Sequence, residues 1–303
     1  MVTSNVSILK KETLFSGLGR MIGAEFLKLR KRQMTWVLLS ILVGIIVIVN
    51  LLLLAISKVK TPGPGIGSGN LATLLGLQSA IPFAFSMMAS FGSLLAIILT
   101  ASSIGSEYNW KTIRTALVSS ESRFKFIVSK LVSLGIMILI GMLIGVIAGF
   151  VMGLITTGLG GNAYNFSFFT GSYAWTQVLQ YLRTFYVIMP FALLGFMMAI
   201  VGRSAMPGIA TGVGFLFLEA IITTFMTAAG GWIAKVPAYL LNANVSAITA
   251  LNKLPGRFGG GGGSGSTTDI LPSLTHAFVI LGLYSIIFLF FSFFFFRKRD
   301  VTG

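Results

Sequence analysis

Apolar residues gather along this chain in long blocks, and polar residues are confined to the gaps between them. Met34 to Ile56 carries no charge over 23 residues. A second block, about Ala80 to Ile104, lies inside a charge-free run from Thr61 to Ser106. Further blocks occupy about Ile127 to Ile155, Val178 to Gly202, Ala205 to Ala229 and Leu274 to Phe296. A hydrocarbon core about 30 Å thick needs about 20 helical residues to cross it. The pattern therefore predicts an all-α membrane protein with six transmembrane helices in a single transmembrane domain, residues 1–303. The first block is too long for the ~7–15-residue core of a signal peptide, so it reads as a retained span.

Shorter elements fill the gaps. Leu14, Leu18, Met21, Ile22 and Leu29 share one helical face and lead into "KLRKR". This predicts a basic amphipathic helix over about 12–33, lying in the membrane interface. Residues 230–273 form an outer loop. Its "KVPAYLLNANVSAITALNKLP" predicts a short helix on the outer surface, and its glycine-rich 259–266 predicts a flexible linker. "GNAYNFSFFTGSYAW", before the fourth span, reads as an aromatic belt. In the third span Gly141, Gly145, Gly149 and Gly153 recur every four residues, which makes a smooth face for close helix packing.

Composition agrees with a membrane protein. Only 10% of residues are charged, against about 25% in soluble domains. The net charge of +15 would suggest nucleic acid in a soluble protein. Here the bases sit beside apolar blocks, where they set topology and meet anionic lipid, so no nucleic-acid partner is expected. With the N-terminus inside, sixteen bases fall on the inner side and five on the outer. Both termini are then expected to face the cytoplasm from a multi-pass position in the cell membrane.

Candidate chemistry is sparse. Cysteine is absent and His276 is the only histidine, so no metal site and no catalytic residues are expected. The chain contains no G-x-x-x-x-G-K-[ST] phosphate-binding motif. Two charges fall within spans, Glu219 in the fifth and Arg183 in the fourth. A charge at the bilayer centre costs at least ~2.5–3.5 kcal/mol, so such residues usually have partners. At 1.5 Å per residue from Arg203, Glu219 lies roughly 24 Å up and Arg183 roughly 30 Å. That is near enough for a pair, which either lines a pathway or is structural; the alternative is a protonated Glu219 bonded to backbone.

The remaining polar stretch, "SSIGSEYNWKTIRTALVSSESRFKF" (Ser102 to Phe126), separates the second and third spans. Ser106 reads as an N-cap with Glu107 at the positive end of a helix over 106–118. Trp110, Ile113 and Leu117 form an apolar stripe on it, and Lys111, Thr112 and Arg114 stay polar. On these residues alone the stretch reads equally as a docking helix or an ordinary interfacial loop.

"GSEYNWKTIRTALVSSESRFKFIVSKLV" resembles the first cytoplasmic loop of ABC-2 type ABC transporter permeases. "AEFLKLRKRQMTW" resembles that family's basic helix before the first span, and "FFFFRKRDVTG" its usual C-terminal end. The resemblance implies the transmembrane subunit of an ATP-driven exporter. A separate ATPase subunit would bind ATP and Mg, leaving this chain no cofactor and no enzyme activity of its own. The 106–118 helix would be the coupling helix. Glu107, Tyr108, Trp110, Lys111, Thr112 and Arg114 would contact the ATPase, and Arg123 would support the exit into the third span. A second permease copy, in a homo- or heterodimer, and membrane lipids complete the implied partners. The implied cargo is hydrophobic or amphipathic: a peptide, a drug or a lipid-like molecule. An ion-coupled carrier or a non-transporting membrane partner of an ATPase are the competing readings.

Overall fold

Residues 14–58, 75–109, 123–161, 163–252 and 272–298 are described by the computed structural model, without the side chains of 14–16 and 123. The described residues are overwhelmingly helical and contain no strand. In chain order the elements are α1 (Leu14–Lys31), α2 (Gln33–Lys58), α3 (Leu77–Met87), a π-helical turn (Met88–Gly92) and α4 (Ser93–Asn109). They continue as α5 (Arg123–Leu159), α6 (Gly171–Gly202), α7 (Ala205–Ala229), a 3-10 turn (Ile233–Tyr239), α8 (Leu241–Thr249) and α9 (Leu274–Lys298). Six helical stretches are long and apolar enough to cross a membrane: α2, the continuous Leu77–Asn109, α5 from Phe124, α6, α7 and α9. They are the six spans. Arg32, Asn109, Arg123, Arg203 and Lys298 lie at one end of the bundle, here termed the basic face.

The spans pack where side chains are small. Hydrocarbon offers no hydrophobic drive for helix association, so close van der Waals fit decides it. A Cβ added at Gly145, Gly149 or Gly153 would collide with Met88, Ala84 or Ala80 of the second span. Three of the four glycines expected on a smooth face thus carry the contact, and Gly141 opens onto free space. The second, fourth and fifth spans meet just as closely, through Gly195 and Gly212 against Ile97, Gly208 against Ala101 and Ala199, and Gly105 against the Ala205 backbone. Thr100 Oγ1 adds a polar tie, 2.8 Å from the Ala192 carbonyl oxygen on the fourth span.

The second span is interrupted. Pro82 lies within α3 and the π-helical turn follows it. Proline cannot donate to the helix ladder, and single π turns recur at functional sites. The fourth and fifth spans join through Arg203, which is left-handed (φ 53°).

Two expectations need correction. The helical region around Ser106 is not a new helix. The second span stays helical through Asn109, and Ser106 lies within its last turns. Its hydroxyl reaches back to the Ser103 carbonyl oxygen at 3.2 Å, an intrahelical bond that competes with capping. Nor does α8 lie on the outer surface. Leu241, Val245 and Ile248 recur on one face and are buried against Ala277 and Leu281 of the sixth span and Phe191 of the fourth. Tyr284 donates to the Tyr239 carbonyl oxygen. The Tyr239 ring also lies 5.1 Å from that of His276, in the first turn of α9.

Candidate functional site

At the basic face one lysine draws three elements together. Lys130 lies two turns into α5 and is only 2% exposed. Its Nζ is 2.9 Å from Glu25 Oε2 on α1 and 2.7 Å from Glu107 Oε1 at the end of α4. The same ammonium lies 5.5 Å from the Phe126 ring centroid. Lys28 forms a second ion pair with Glu25 from the rim. Arg32 donates to the Ser103 carbonyl oxygen at 3.5 Å and to Ser106 Oγ. Ser133 donates to the Ile22 carbonyl oxygen at 3.0 Å, fastening α1 along α5. Beneath the charges lie Leu29, Ile104, Phe126, Ile127, Phe196 and Phe296, an apolar floor shared by α1 and four of the spans.

The electrostatics follow from burial and pairing. Burial pushes the Glu25 carboxyl up, but Lys130 and Lys28 outweigh it and hold the group below its ordinary value. Burial also lowers Arg32, against the support of Glu107 and Glu25. Glu25 and Glu107 balance Lys130 and Arg32, as buried charges require. The cluster is a buried junction of α1, α4 and α5. Segment 110–122 is rooted at α4 on one side and α5 on the other, and Lys130 ties both roots to α1. A displacement of that segment would therefore reach the second span, the third span and α1 together.

The sequence-predicted residues fall in different places. Glu107 is buried in the junction, and Tyr108 is half-buried against its apolar floor. Trp110, Lys111, Thr112 and Arg114 lie outside the described residues, as does the side chain of Arg123. Sequence reasoning missed the Glu25–Lys130 link. A signal was present: Glu25 shares the apolar face of Ile22 and Leu29, where a carboxylate needs a cation.

Glu219 and Arg183 do not form an ion pair. The Glu219 carboxylate accepts from the Asn242 backbone N–H, in the first turn of α8. α8 has no side-chain cap from its own N-cap residue, Leu240, so the fifth span supplies one. A carboxylate at a helix N-terminus is favourable. Glu219→Ala is expected to cost about 1–2 kcal/mol of stability, in the upper range for a lost cap. Glu219→Gln, which keeps an acceptor, should lose much less. Thermal unfolding of both variants in detergent separates them, and equal losses would remove the capping role.

The fold defines a class: an all-helical protein with six helices long and apolar enough to cross a membrane. The chain belongs to the DUF2705 family, described as proteins of unknown function, whose model matches residues 46–302. Glu107, Lys130 and Glu219 fall within the match, whereas α1 with Glu25 precedes it. The chain is also similar to the uncharacterized protein YhcI of Bacillus subtilis (strain 168). They are 28% identical over 218 residues, covering 69% of this chain and 64% of YhcI, less than two thirds of that relative's length.

Proposed function

We propose that this chain is the transmembrane permease subunit of an ATP-driven ABC exporter in the cell membrane. The observation that carries the reading is the buried Glu25–Lys130–Glu107 junction at the roots of segment 110–122. A subunit driven from outside the membrane needs a stiff joint between the driven segment and its spans, and this junction supplies one. Within that segment, residues up to 118 would complete the coupling helix, with Trp110, Lys111, Thr112 and Arg114 on the ATPase. Glu107 acts one step behind them, holding the root of the segment from inside the bundle.

In this scheme a separate ATPase binds ATP and Mg, and two permeases pair with two ATPases. Closure of the ATPase pair displaces the coupling helices, and the junction passes that motion to the bundle, a two-state element biased from one end. Both termini face the cytoplasm, and the cargo is hydrophobic or amphipathic. One oxygen of the buried Glu219 caps α8; an ion-coupled carrier, which wants several buried ionisable groups, is the competing reading.

The test is co-purification. The chain is expressed with its candidate ATPase and recovered through a tag on the permease. Wild type is expected to retain the ATPase and its ATP hydrolysis, and Arg114→Glu is expected to lose at least about tenfold of the bound ATPase while still inserting. A folded wild-type chain that retains no ATPase would overturn the proposal and favour a carrier. A stable complex that moves no cargo would make the chain a non-transporting partner.

A further inference from the structure

A groove of about 420 Å³ opens at the basic face between the third and sixth spans. Phe124 and Ile127 line it from α5, and Phe290, Phe293, Phe294 and Arg297 from α9. Its volume falls within the range of about 300–1,000 Å³ that holds small organic ligands. Phe290 and Arg297 are seven residues apart, so the groove follows α9 for about 10 Å. It starts at the basic last turn of that helix and runs toward the middle of the span. Half of a hydrocarbon core is about 15 Å, so that length belongs to one leaflet.

Floor, walls and rim differ in chemistry. On the floor lie Ile127 and Phe296, 1% and 5% exposed. Phe296 stacks on Phe126 with ring centroids 5.9 Å apart, and Phe126 is the ring beside the Lys130 ammonium. The groove therefore backs onto the charge junction. In the walls, Phe124 stacks on Phe293 at 5.1 Å and links the two spans. Phe290 and Phe294 keep 63% and 45% of their surface uncovered. At the rim, Arg297 is exposed and belongs to the lining. The Lys298 ammonium lies 5.7 Å from the Phe294 ring centroid, which puts a second exposed base on the same rim. The lining contains no carboxylate.

We propose that this groove binds an anionic phospholipid, with its phosphate on Arg297 and Lys298 and an acyl chain along Phe290, Phe293 and Phe294. Phenylalanine walls at this depth suit hydrocarbon, and the two bases select the charge of the head, as basic pockets between spans do. The bound chain bridges the third and sixth spans. It rests on Phe296, one ring away from Phe126 and Lys130, and so supports the junction from outside the bundle.

The test combines affinity with location. The delipidated full chain in detergent is titrated with phosphatidylglycerol, then with phosphatidylcholine of the same acyl chains, and bound lipid is counted by native mass spectrometry. Phosphatidylglycerol carrying a diazirine on its acyl chain is then crosslinked and the labelled peptides are mapped. Wild type is expected to bind phosphatidylglycerol about tenfold more tightly than phosphatidylcholine, the effect of one or two bases, with label on residues 290–297. Arg297→Gln with Lys298→Gln should remove that preference. Arg30→Gln with Lys31→Gln takes two exposed bases from the same face outside the groove lining, and should keep it. Phe290→Ala with Phe294→Ala should weaken both lipids about tenfold, because two rings of the apolar wall are gone. Phe225→Ala, at a 72% exposed ring on the fifth span, should match wild type. Every substituted side chain is exposed, so each variant is expected to fold. Equal binding of the two lipids by wild type overturns the proposal. So does an equal loss from the two pairs of bases, or label spread evenly over the spans, since either means a general lipid coat. Wild-type affinity in Phe290→Ala with Phe294→Ala overturns it as well.

Discussion

Lys130→Ala is expected to cost about 3–5 kcal/mol, the range for removing one partner of a buried ion pair. Attraction to two carboxylates is lost, and repulsion between them is added. Glu25 and Glu107 both lie within 3 Å of one ammonium nitrogen. Without it, two buried carboxylates face each other at about 5 Å, and at an effective dielectric of about 20 their repulsion is about 3 kcal/mol. Replacing all three residues, as Glu25→Gln, Glu107→Gln and Lys130→Met, should recover most of the loss, because it removes the uncompensated charge with the pair. Thermal unfolding of the purified chain in detergent measures both variants. A Lys130→Ala chain that unfolds like wild type would show that the junction carries no energy. The pH dependence has the same source. Because pairing holds Glu25 below its ordinary 4.5, its contribution is complete above that value and is lost as pH falls through the depressed native value.

The second large effect is expected at Gly105. A Cβ there would lie 2.1 Å from the Ala205 backbone nitrogen and 2.4 Å from its Cα. No side chain can rotate away from such a contact, because the obstacle is main chain. Gly105→Ala must separate the end of the second span from the start of the fifth, an overpacking cost of about 1–3 kcal/mol or more. Gly141→Ala is the matched control. It meets open space, and alanine's better helix propensity should leave it neutral or up to about 1 kcal/mol more stable. Folded yield and midpoint of unfolding should fall at position 105 and hold at 141. Similar behaviour of the two would mean that the close approach at Gly105 is not maintained in solution.

How much was legible in the sequence depended on whether a feature is local. The fifth span occupies Ala205–Ala229, where the apolar run placed it, because uninterrupted hydrophobicity is a local signal. The spacing of Gly145, Gly149 and Gly153 announced a close contact, though not that Ala80, Ala84 and Met88 would supply it. Ser106 was misread because serine followed by glutamate looks the same at a helix start and within a helix that carries on. The Glu219–Arg183 pairing failed for a geometric reason. Counting residues along a helix gives height and says nothing of azimuth, and it left out α8, whose backbone takes the carboxylate. Glu25 and Lys130 are 105 positions apart, and no local pattern joins them.

That separation bears on how the protein is made. A ribosome that has finished the second span has released both Glu25 and Glu107, and their shared cation is still unsynthesised. Lys28 and Arg32 are the cations already present at the same place. The nascent hairpin therefore holds its two carboxylates on Lys28 and Arg32 alone. The third span brings Lys130, the cation that bonds to both. Residues up to about Leu159 are then the earliest piece of the chain that contains every member of the Glu25–Lys130–Glu107 junction and the whole third span.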